Sequence, residues 1–232
     1  MIYITGDTHC DFSRFEEFCE KSETTTDDIM IILGDSGLNY YGNYLDRYTK
    51  EKASEYPLTF FCVHGNHEKR ASEIASYKTK MFCGGTVFYE EDFPNLLFAN
   101  DGEVYRFGEH NCIVIGGAYS IDKMYRVAYG YPWHADEQPS DEIKAYVEKV
   151  LSDRDYKIDV ILSHTCPRKY EPTEVFLEGY DQSRVDKTTE DWLDKIEAMT
   201  EYNYWYCGHF HTQKIIDKLR FMFRDIDVFM SD

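Results

Sequence analysis

The sequence predicts an α/β fold in which two mixed β-sheets pack as a sandwich with helices on the outside. In the N-terminal third, short apolar runs rich in β-branched residues alternate with amphipathic stretches, the order expected of parallel strands joined by helices. In the middle, strand-like runs are separated by Asn and Gly, which is typical of antiparallel connections. The C-terminal half returns to strands that alternate with helices.

The N-terminal third is expected to be β-α-β-α-β. Apolar runs predict strands at residues 1–6, 28–34 and 58–63. A helix is predicted over residues 11–22, where apolar side chains recur every three or four positions at Phe12, Phe15, Phe18 and Cys19. A second helix is predicted over residues 40–56, and a short one is expected to begin at Glu68.

The middle of the chain predicts shorter elements. Strand-like runs lie at residues 86–89, 96–99, 103–107 and 111–115. We expect these runs to form an antiparallel meander, either in a second sheet or at the edge of the first. Residues 116–139 are then predicted to be a long aromatic loop.

The C-terminal part is predicted to contain two helices and several strands. The helices cover residues 140–151, with Ser140 as the N-cap, and residues 189–199. Strands are predicted at residues 159–163 and 202–207, with two more inside 214–229, and residues 165–188 are predicted to be irregular. No stretch has the composition of a linker, so we expect a single domain over residues 1–232.

Composition narrows the expected function. The 232-residue chain has a net charge of −18, which repels the phosphate backbones of DNA and RNA. No run of 18 or more apolar residues occurs, so no membrane span is expected. Seven cysteines, an odd number without a CxxC pair, favour a reducing cytoplasm over a disulfide framework. Because the chain opens on a predicted core strand, no signal peptide is expected.

Residue types that bind metal ions recur just after five of the predicted strands. They are Asp7, His9, Asp35, Asn66, His67, His164, His209 and His211. In open α/β sheets, ligands bind beyond the carboxyl ends of the strands, so we expect one shared metal site centred on Asp35. Taken singly, each motif also fits a structural role, such as a capped turn or a core histidine.

In this order the motifs resemble those of the calcineurin-like metallophosphoesterase superfamily. The matching segments are Gly6-Asp-Thr-His9, Gly34-Asp35, Gly65-Asn-His-Glu68, Ser163-His164 and Gly208-His-Phe-His211. They run from residue 6 to residue 211 and so cover nearly the whole chain. The resemblance implies a two-sheet sandwich flanked by helices and a metal-dependent phosphoesterase.

The resemblance also implies a role for each matching residue. One metal would be held by Asp7, His9, Asp35 and His211, and the second by Asp35, Asn66, His164 and His209. Asp35 would bridge the two, since a carboxylate offers two oxygens and a neutral histidine one free lone pair. His67 would lie over the site as an acid for the leaving group or as a phosphate contact. Water bound to the metals would supply the attacking hydroxide.

The donor set suits a pair of divalent transition-metal ions. A mixture of His, Asp and Asn favours Mn, Fe, Zn, Co or Ni over Ca. Asn66 is a neutral ligand, so two aspartates against two divalent ions leave a charge of about +2 for an anionic phosphate. We therefore expect Asn66 to favour substrate binding as well as metal binding.

Further substrate contacts are expected in the loop over residues 116–139. Arg126 and Lys123 would clamp a phosphate if this loop forms a wall of the cleft; alternatively, the loop is a packed surface segment. Glu68 would either orient His67 or begin the next helix. The second motif continues as Gly34-Asp-Ser-Gly-Leu-Asn39 and lacks the arginine of the protein-phosphatase branch, which argues against protein substrates.

The expected function is hydrolysis of a small phosphomonoester or phosphodiester by a two-metal enzyme. The sequence leaves the substrate and the oligomeric state open. One alternative is a catalytically silent, metal-binding scaffold for a protein partner; the intact set of eight site positions disfavours it. Another is a nuclease, which the acidic composition and the lack of a basic stripe disfavour.

Overall fold

A computed structural model describes residues 1–230 of the chain. Within this range there are five α-helices: α1 (Arg14–Ser22), α2 (Arg47–Ser54), α3 (Lys123–Tyr129), α4 (Asp141–Ser152) and α5 (Thr188–Met199). The Ser140 side chain accepts a hydrogen bond from the backbone N–H of Ile143, so the predicted cap of α4 is confirmed. Among these helices none combines the length and hydropathy needed to span a lipid bilayer.

The same residues form thirteen strands. They are β1 (Ile2–Thr5), β2 (Ile29–Ile32), β3 (Thr59–Cys62), β4 (Lys78–Phe82), β5 (Gly85–Glu90), β6 (Phe93–Ala99), β7 (Val104–Phe107), β8 (His110–Ile115), β9 (Val160–Ser163), β10 (Tyr204–Cys207), β11 (Lys214–Ile216), β12 (Leu219–Phe221) and β13 (Asp227–Val228). The first sheet has the order β13-β1-β2-β3-β6-β5-β4, and the second has the order β11-β12-β10-β9-β8-β7.

Both sheets are mixed, as the sequence predicts. In the first sheet β1, β2, β3 and β6 are parallel, and antiparallel strands lie at both edges. In the second sheet β8, β9, β10 and β12 are parallel, flanked by antiparallel β7 and β11. The parallel strands of each sheet therefore deliver their carboxyl ends to one edge of that sheet.

Three layers of apolar side chains hold the two sheets and the helices together. The central layer lies between the sheets and takes Ile31 from the first and Leu162 from the second. On the outer face of the first sheet, Met30 packs with Phe15 of α1. On the outer face of the second sheet, helices α4 and α5 cover Trp205. Successive side chains of each strand therefore point alternately to the central layer and to an outer layer. The architecture is the sandwich with flanking helices that the sequence predicts.

The predicted antiparallel meander is wrong as a single unit. Its first two strands are β5 and β6 of the first sheet, and its last two are β7 and β8 of the second. The chain crosses between the sheets after Ala99, and β6 pairs in parallel with β3. Strand β4 is not predicted by the sequence because it is an exposed edge strand, with Lys78 and Lys80 in place of an apolar face.

Four other element predictions differ from the structure. The helix predicted over residues 40–56 starts only at Arg47, because Asn43 caps a preceding turn of 3₁₀ helix. No helix starts at Glu68, whose side chain is directed inward. The predicted loop over residues 116–139 contains α3, which ends at Gly130 with a φ of 73°. The region 214–229 contains three short strands rather than two.

Candidate metal centre

The predicted metal-binding side chains lie beyond the carboxyl ends of five parallel strands. Strands β1, β2 and β3 of the first sheet are followed by Asp7 and His9, Asp35, and Asn66, respectively. Strands β9 and β10 of the second sheet are followed by His164 and by His209 and His211. The structure brings these residues, taken from five separate segments, into one site between the two sheets.

Backbone geometry at the site is unusual. His9, Asp35, His209 and His211 all have positive φ, between 46° and 67°, in the left-handed region that residues other than glycine seldom adopt. Such conformations persist where the surroundings hold the chain firmly, and they concentrate at functional sites. The sharp reversal they allow turns each side chain from the end of its strand towards the centre of the site.

Hydrogen bonds between loops keep these turns in place. The backbone N–H of His9 donates to the carbonyl of Asp35 at 2.8 Å, and that of Gly208 donates to the carbonyl of His164 at 2.9 Å. Arg14 donates to the carbonyl of Asp7 at 2.7 Å. A Cβ atom at residue 65 would collide with Asp35, so Gly65 is required for this close approach.

One group of ligand atoms contains Asp7, His9 and His211. An atom from each of these residues lies within 4.8 Å of an atom from both others. The Nε2 atoms of His9 and His211 are 2.9 Å apart, and His211 Nε2 lies 3.1 Å from Asp7 Oδ2. The residues of this group follow strands β1 and β10, one from each sheet.

A second group contains Asn66, His164 and His209. Asn66 Oδ1 is 2.8 Å from His164 Nε2 and 3.0 Å from His209 Nδ1. The ring of His164 is fully buried, and its Nδ1 lies 2.8 Å from the carbonyl oxygen of Leu33. This group also takes residues from both sheets.

Asp35 lies between the two groups. Its Oδ2 atom is 3.8 Å from His9 Nε2 in the first group, and its Oδ1 atom is 3.6 Å from His164 Nε2 in the second. Oδ1 also accepts a hydrogen bond from the backbone N–H of His67 at 2.8 Å. Each carboxylate oxygen of Asp35 therefore faces a different set of ligand atoms.

These residues fit a site for cations. Ligands at about 2.0–2.2 Å from a shared ion lie about 3–4 Å from each other, which is the spacing found here. A carbonyl can only accept, so Leu33 fixes the proton of a neutral His164 on Nδ1 and leaves a lone pair on Nε2. That lone pair faces the acceptor oxygen of Asn66, and a cation would relieve this contact between two acceptors.

Comparison with known proteins establishes the family. A model of the calcineurin-like phosphoesterase family matches residues 1–213. This chain belongs to that family. The predicted family is thereby confirmed, and the protein is a metal-dependent phosphoesterase, a hydrolase. A search of curated proteins finds no match.

Solved structures support the phosphoesterase fold. TT1561 of Thermus thermophilus is 13% identical, with a TM-score of 0.52, and the match covers 96% of this chain and 87% of that one. The phosphopantetheinyl hydrolase PptH of Mycobacterium tuberculosis is 15% identical, with a TM-score of 0.51 and the same two coverages. At these identities the likeness shows the fold alone.

Electrostatics keep His9, His209 and Asp35 of this phosphoesterase in their metal-binding forms, whereas the hydrogen bond to Asp7 raises the pKa of His211. Burial lowers the pKa of His9, and it lowers the pKa of His209 to about 3, so both rings are neutral near pH 7. Burial opposes the ionisation of Asp35, but His164 and His67 outweigh it and lower the pKa of this carboxyl. Neutral imidazoles and ionised carboxylates are the forms that bind metal ions.

His67 lies at the mouth of the site. Its ring is 5.2 Å from the ring of His9 and nearly perpendicular to it, and its Nε2 is 3.8 Å from Asp122 Oδ1. His67, His9 and Asp35 also form a group with ligand atoms within 4.8 Å, so the geometry alone permits His67 to bind a metal.

Glu68 links the turn after β2 to the turn after β3. Within residues 1–230 it makes no hydrogen bond to His67. Its carboxylate accepts from the hydroxyl of Ser36 at 2.6 Å and from the backbone N–H of Gly65 at 3.1 Å. Burial and the nearby Asp35 raise the pKa of Glu68 to about 7. Of the two roles considered for Glu68, neither is found: it fixes the turn that presents Asn66.

Arg126 and Lys123, the predicted phosphate contacts, both lie on α3. The ammonium of Lys123 sits 4.0 Å from the centre of the Trp133 ring. Arg126 is 3% exposed, and its guanidinium lies 5.6 Å from the centre of the Tyr40 ring. Both terminal nitrogens of Arg126 lack a hydrogen-bond partner within residues 1–230.

Several residues that shape the site are not singled out by the sequence. Ser120 accepts a hydrogen bond from the Asn66 amide at 2.9 Å, and Asp122 faces His67. Arg14 ties the turn after β1 to the backbone near the end of the chain, through the carbonyl of Phe223. These partners come from distant segments and carry no motif of their own, so the fold was needed to find them.

Proposed function

We propose that this protein is a dinuclear phosphoesterase that hydrolyses a small phosphomonoester or phosphodiester. The observation that carries the proposal is the position of Asp35, whose two carboxylate oxygens face two separate groups of ligand atoms. A carboxylate in that position can bridge two cations. The family membership supplies the general reaction, and the paired groups of ligand atoms support a count of two metals.

We assign the metal ligands by group. One ion would be held by Asp7, His9, Asp35 and His211, and the other by Asp35, Asn66, His164 and His209. The donor chemistry favours Mn, Fe, Zn, Co or Ni. When bound, the pair would polarise the phosphoryl oxygens and lower the pKa of water.

The chain's own residues position the substrate and manage the proton. Asn66 is held by Ser120 with its oxygen towards His164, and as a neutral ligand it leaves positive charge for the phosphoryl group. His67 stands beside this position and would donate a proton to the departing alkoxide. Asp122, at 3.8 Å, can orient the His67 ring for that transfer.

Arg126 remains our proposed phosphate contact, with Lys123 as a weaker second. An unpaired buried guanidinium is costly, and an anionic oxygen would satisfy it. A small movement of α3 would be required, since the terminal nitrogens of Arg126 are buried. The ammonium of Lys123 is already engaged by Trp133, so its contribution to binding is expected to be smaller.

We also retain the single domain and the cytoplasmic location as proposals. The central apolar layer draws side chains from both sheets, which supports one folding unit over residues 1–232. All seven cysteines are free, which supports a reducing compartment. The net charge of −18 continues to disfavour a nuclease.

An activity screen tests the proposed function. The Mn-loaded protein is assayed with p-nitrophenyl phosphate, bis-p-nitrophenyl phosphate, nucleotides and single-stranded DNA, beside the Asp35→Asn variant. We expect hydrolysis of at least one small ester by the wild type and loss of that activity in the variant. Metal binding without turnover of any ester would favour the scaffold alternative, and metal-dependent digestion of DNA alone would favour the nuclease.

A further inference from the structure

We infer that the ester accepted by this site carries an uncharged, apolar group of about the size of an aromatic ring next to its phosphoryl group. The inference rests on the proposed function and concerns the cavity beside the metal centre. That cavity has a volume of about 450 Å³ and reaches Asp35, Asn66 and His209 at one end. We call it the side cavity.

The side cavity is walled by apolar side chains from three segments, and none of these side chains has a role in the proposed chemistry. They are Ile121, Val175, Phe176, Leu177 and Phe210. A group attached to a phosphorus atom at the metal centre would enter this space directly. The volume matches that of ordinary small-molecule sites, which are mostly apolar with a few polar groups that fix orientation.

Phe210 and Phe176 form an aromatic wall that begins at the metal ligands. The Phe210 ring lies 4.8 Å from the His209 ring, because the two residues are neighbours in the last motif. The Phe176 ring lies 6.1 Å from Phe210 at an angle of 20°, so the two faces are nearly parallel. A planar substrate group would pack against this wall, which adjoins the candidate ligand His209.

The charges around the side cavity do not favour a second anionic group. Among its described lining residues Lys187 is the only Lys or Arg, and its ammonium is already paired with Glu171 at 2.7 Å. The same ammonium lies 5.0 Å from the centre of the Phe176 ring. Asp122 adds a negative charge to the lining. A polyphosphate chain would therefore find no unpaired cationic side chain among these lining residues, whereas an uncharged group needs none.

Apolar side chains at the rim are left open to solvent. Leu177 is 63% exposed and Val175 is 41% exposed, on the segment between β9 and α5. The hydroxyl of Tyr180 donates to the carbonyl of Ile121 at 2.6 Å and holds this segment against the loop before α3. An apolar substrate group would cover the exposed rim without any rearrangement of the segment.

The test varies the group beside phosphorus and keeps the leaving group constant. Methyl p-nitrophenyl phosphate and phenyl p-nitrophenyl phosphate both react with water: a new P–O bond forms, the bond to p-nitrophenolate breaks, and methyl or phenyl phosphate remains. We expect kcat/KM for the phenyl ester to exceed that for the methyl ester by tenfold or more in the wild type. Equal values would overturn the inference.

Variants locate the preference. Phe176→Ala and Leu177→Ser are expected to lower the phenyl-to-methyl ratio of kcat/KM to about threefold or less. Leu45→Ser is the matched control, because Leu45 is also an exposed leucine, at 49%, but lies in the turn before α2. The control should keep the wild-type ratio. An unchanged ratio in both side-cavity variants would contradict the assignment.

A binding experiment separates this inference from the proposed function. Titration calorimetry with the Mn-loaded protein compares phenylphosphonate with methylphosphonate, neither of which carries a cleavable ester. We expect the phenyl compound to bind at least tenfold more tightly. If phenylphosphonate binds more tightly but no ester is hydrolysed, the proposed function is wrong and the assignment of the side cavity is supported. If esters are hydrolysed but the phenyl compounds are favoured neither in kcat/KM nor in binding, the proposed function is supported and the assignment of the side cavity is wrong.

Discussion

The Asn66 amide N–H group donates a hydrogen bond of 2.9 Å to the hydroxyl oxygen of Ser120. This bond fixes which end of the amide faces the site, so that the oxygen points at His164 and His209. Both Asn66 and Ser120 are almost fully buried, and the Ser120 hydroxyl is directed towards the Asn66 backbone carbonyl at 3.5 Å, which leaves its oxygen to accept from the amide. Ser120 therefore positions a candidate metal ligand without contacting the metal itself.

Removal of the Ser120 hydroxyl should weaken one metal site. We expect Ser120→Ala to lower the affinity for the second Mn²⁺ by about 10–100-fold, since partners of metal ligands typically contribute this much. Calorimetric titration of wild type and variant measures the change. Ser54→Ala is the control, because the Ser54 hydroxyl bonds only to the Glu51 carbonyl on α2. Unchanged affinity in Ser120→Ala would show that Asn66 does not depend on this bond.

The role of His67 can be tested by comparing kcat for two substrates whose leaving groups differ in their need for a proton. We expect His67→Gln to lower kcat by about 100-fold or more for an alkyl phosphate, whose alkoxide needs a proton, and by much less for p-nitrophenyl phosphate. The metal content should stay the same in the variant. His110→Gln, at the start of β8 and far from the carboxyl ends, serves as the control. Loss of a metal ion would reassign His67 as a ligand.

Substitution of Arg126 separates binding from stability. Arg126→Met removes a costly unpaired guanidinium together with one favourable contact with Tyr40, so the free energy of unfolding should rise or, at most, fall by about 1 kcal/mol. If Arg126 binds phosphate, KM should rise tenfold or more. Denaturant titration and steady-state kinetics measure the two effects, with the exposed Arg154→Met as control. An unchanged KM would make α3 a structural element only.

Glu190 should make the metal-free protein less stable as pH rises. Burial raises the pKa of Glu190 from 4.5 to about 7, and only one carboxylate oxygen has a partner, the hydroxyl of Thr165. Between these two pKa values the folded state binds more protons than the unfolded state, so stability falls across that window, by up to about 3 kcal/mol.

Replacement by Gln tests this pH dependence. Glu190→Gln should remove this contribution, so the unfolding free energy of the wild type should fall relative to that of the variant between about pH 4.5 and 7, measured by urea titration in the presence of a chelator. Glu68, whose pKa is also about 7, contributes equally to both proteins. Glu142→Gln is the matched control: Glu142 lies in the first turn of α4 as Glu190 does in α5, but it is exposed. The same pH dependence in wild type and Glu190→Gln would contradict the prediction.

The parallel strands are predictable from the sequence because each signal is local. The run before Asp35 is apolar on both faces, so residues 29–32 indicate a buried strand without knowledge of its neighbours. The sequence does not predict edge strand β4 for the opposite reason, since Lys78 and Lys80 leave it without an apolar face. Short pairs such as β11 and β12 depend on partners that the sequence does not reveal.

Interactions between distant segments could not be predicted. The order of the motifs indicates that Asn66 and His164 approach each other, but it does not indicate that Ser120 and the Leu33 carbonyl orient them. The charge of Arg126 indicates a phosphate contact, but the sequence does not indicate that Arg126 is buried against Tyr40. The side cavity arises where three separate segments meet, and none of them predicts it alone.

The most direct test of the dinuclear account is an electron paramagnetic resonance titration of the metal-free protein with Mn²⁺. If the Asp35 carboxylate bridges two sites, the protein should take up two equivalents, and the spectrum should change to that of an exchange-coupled pair as the second equivalent binds. Uptake of a single equivalent with the spectrum of an isolated ion, or no uptake at all, would contradict the account.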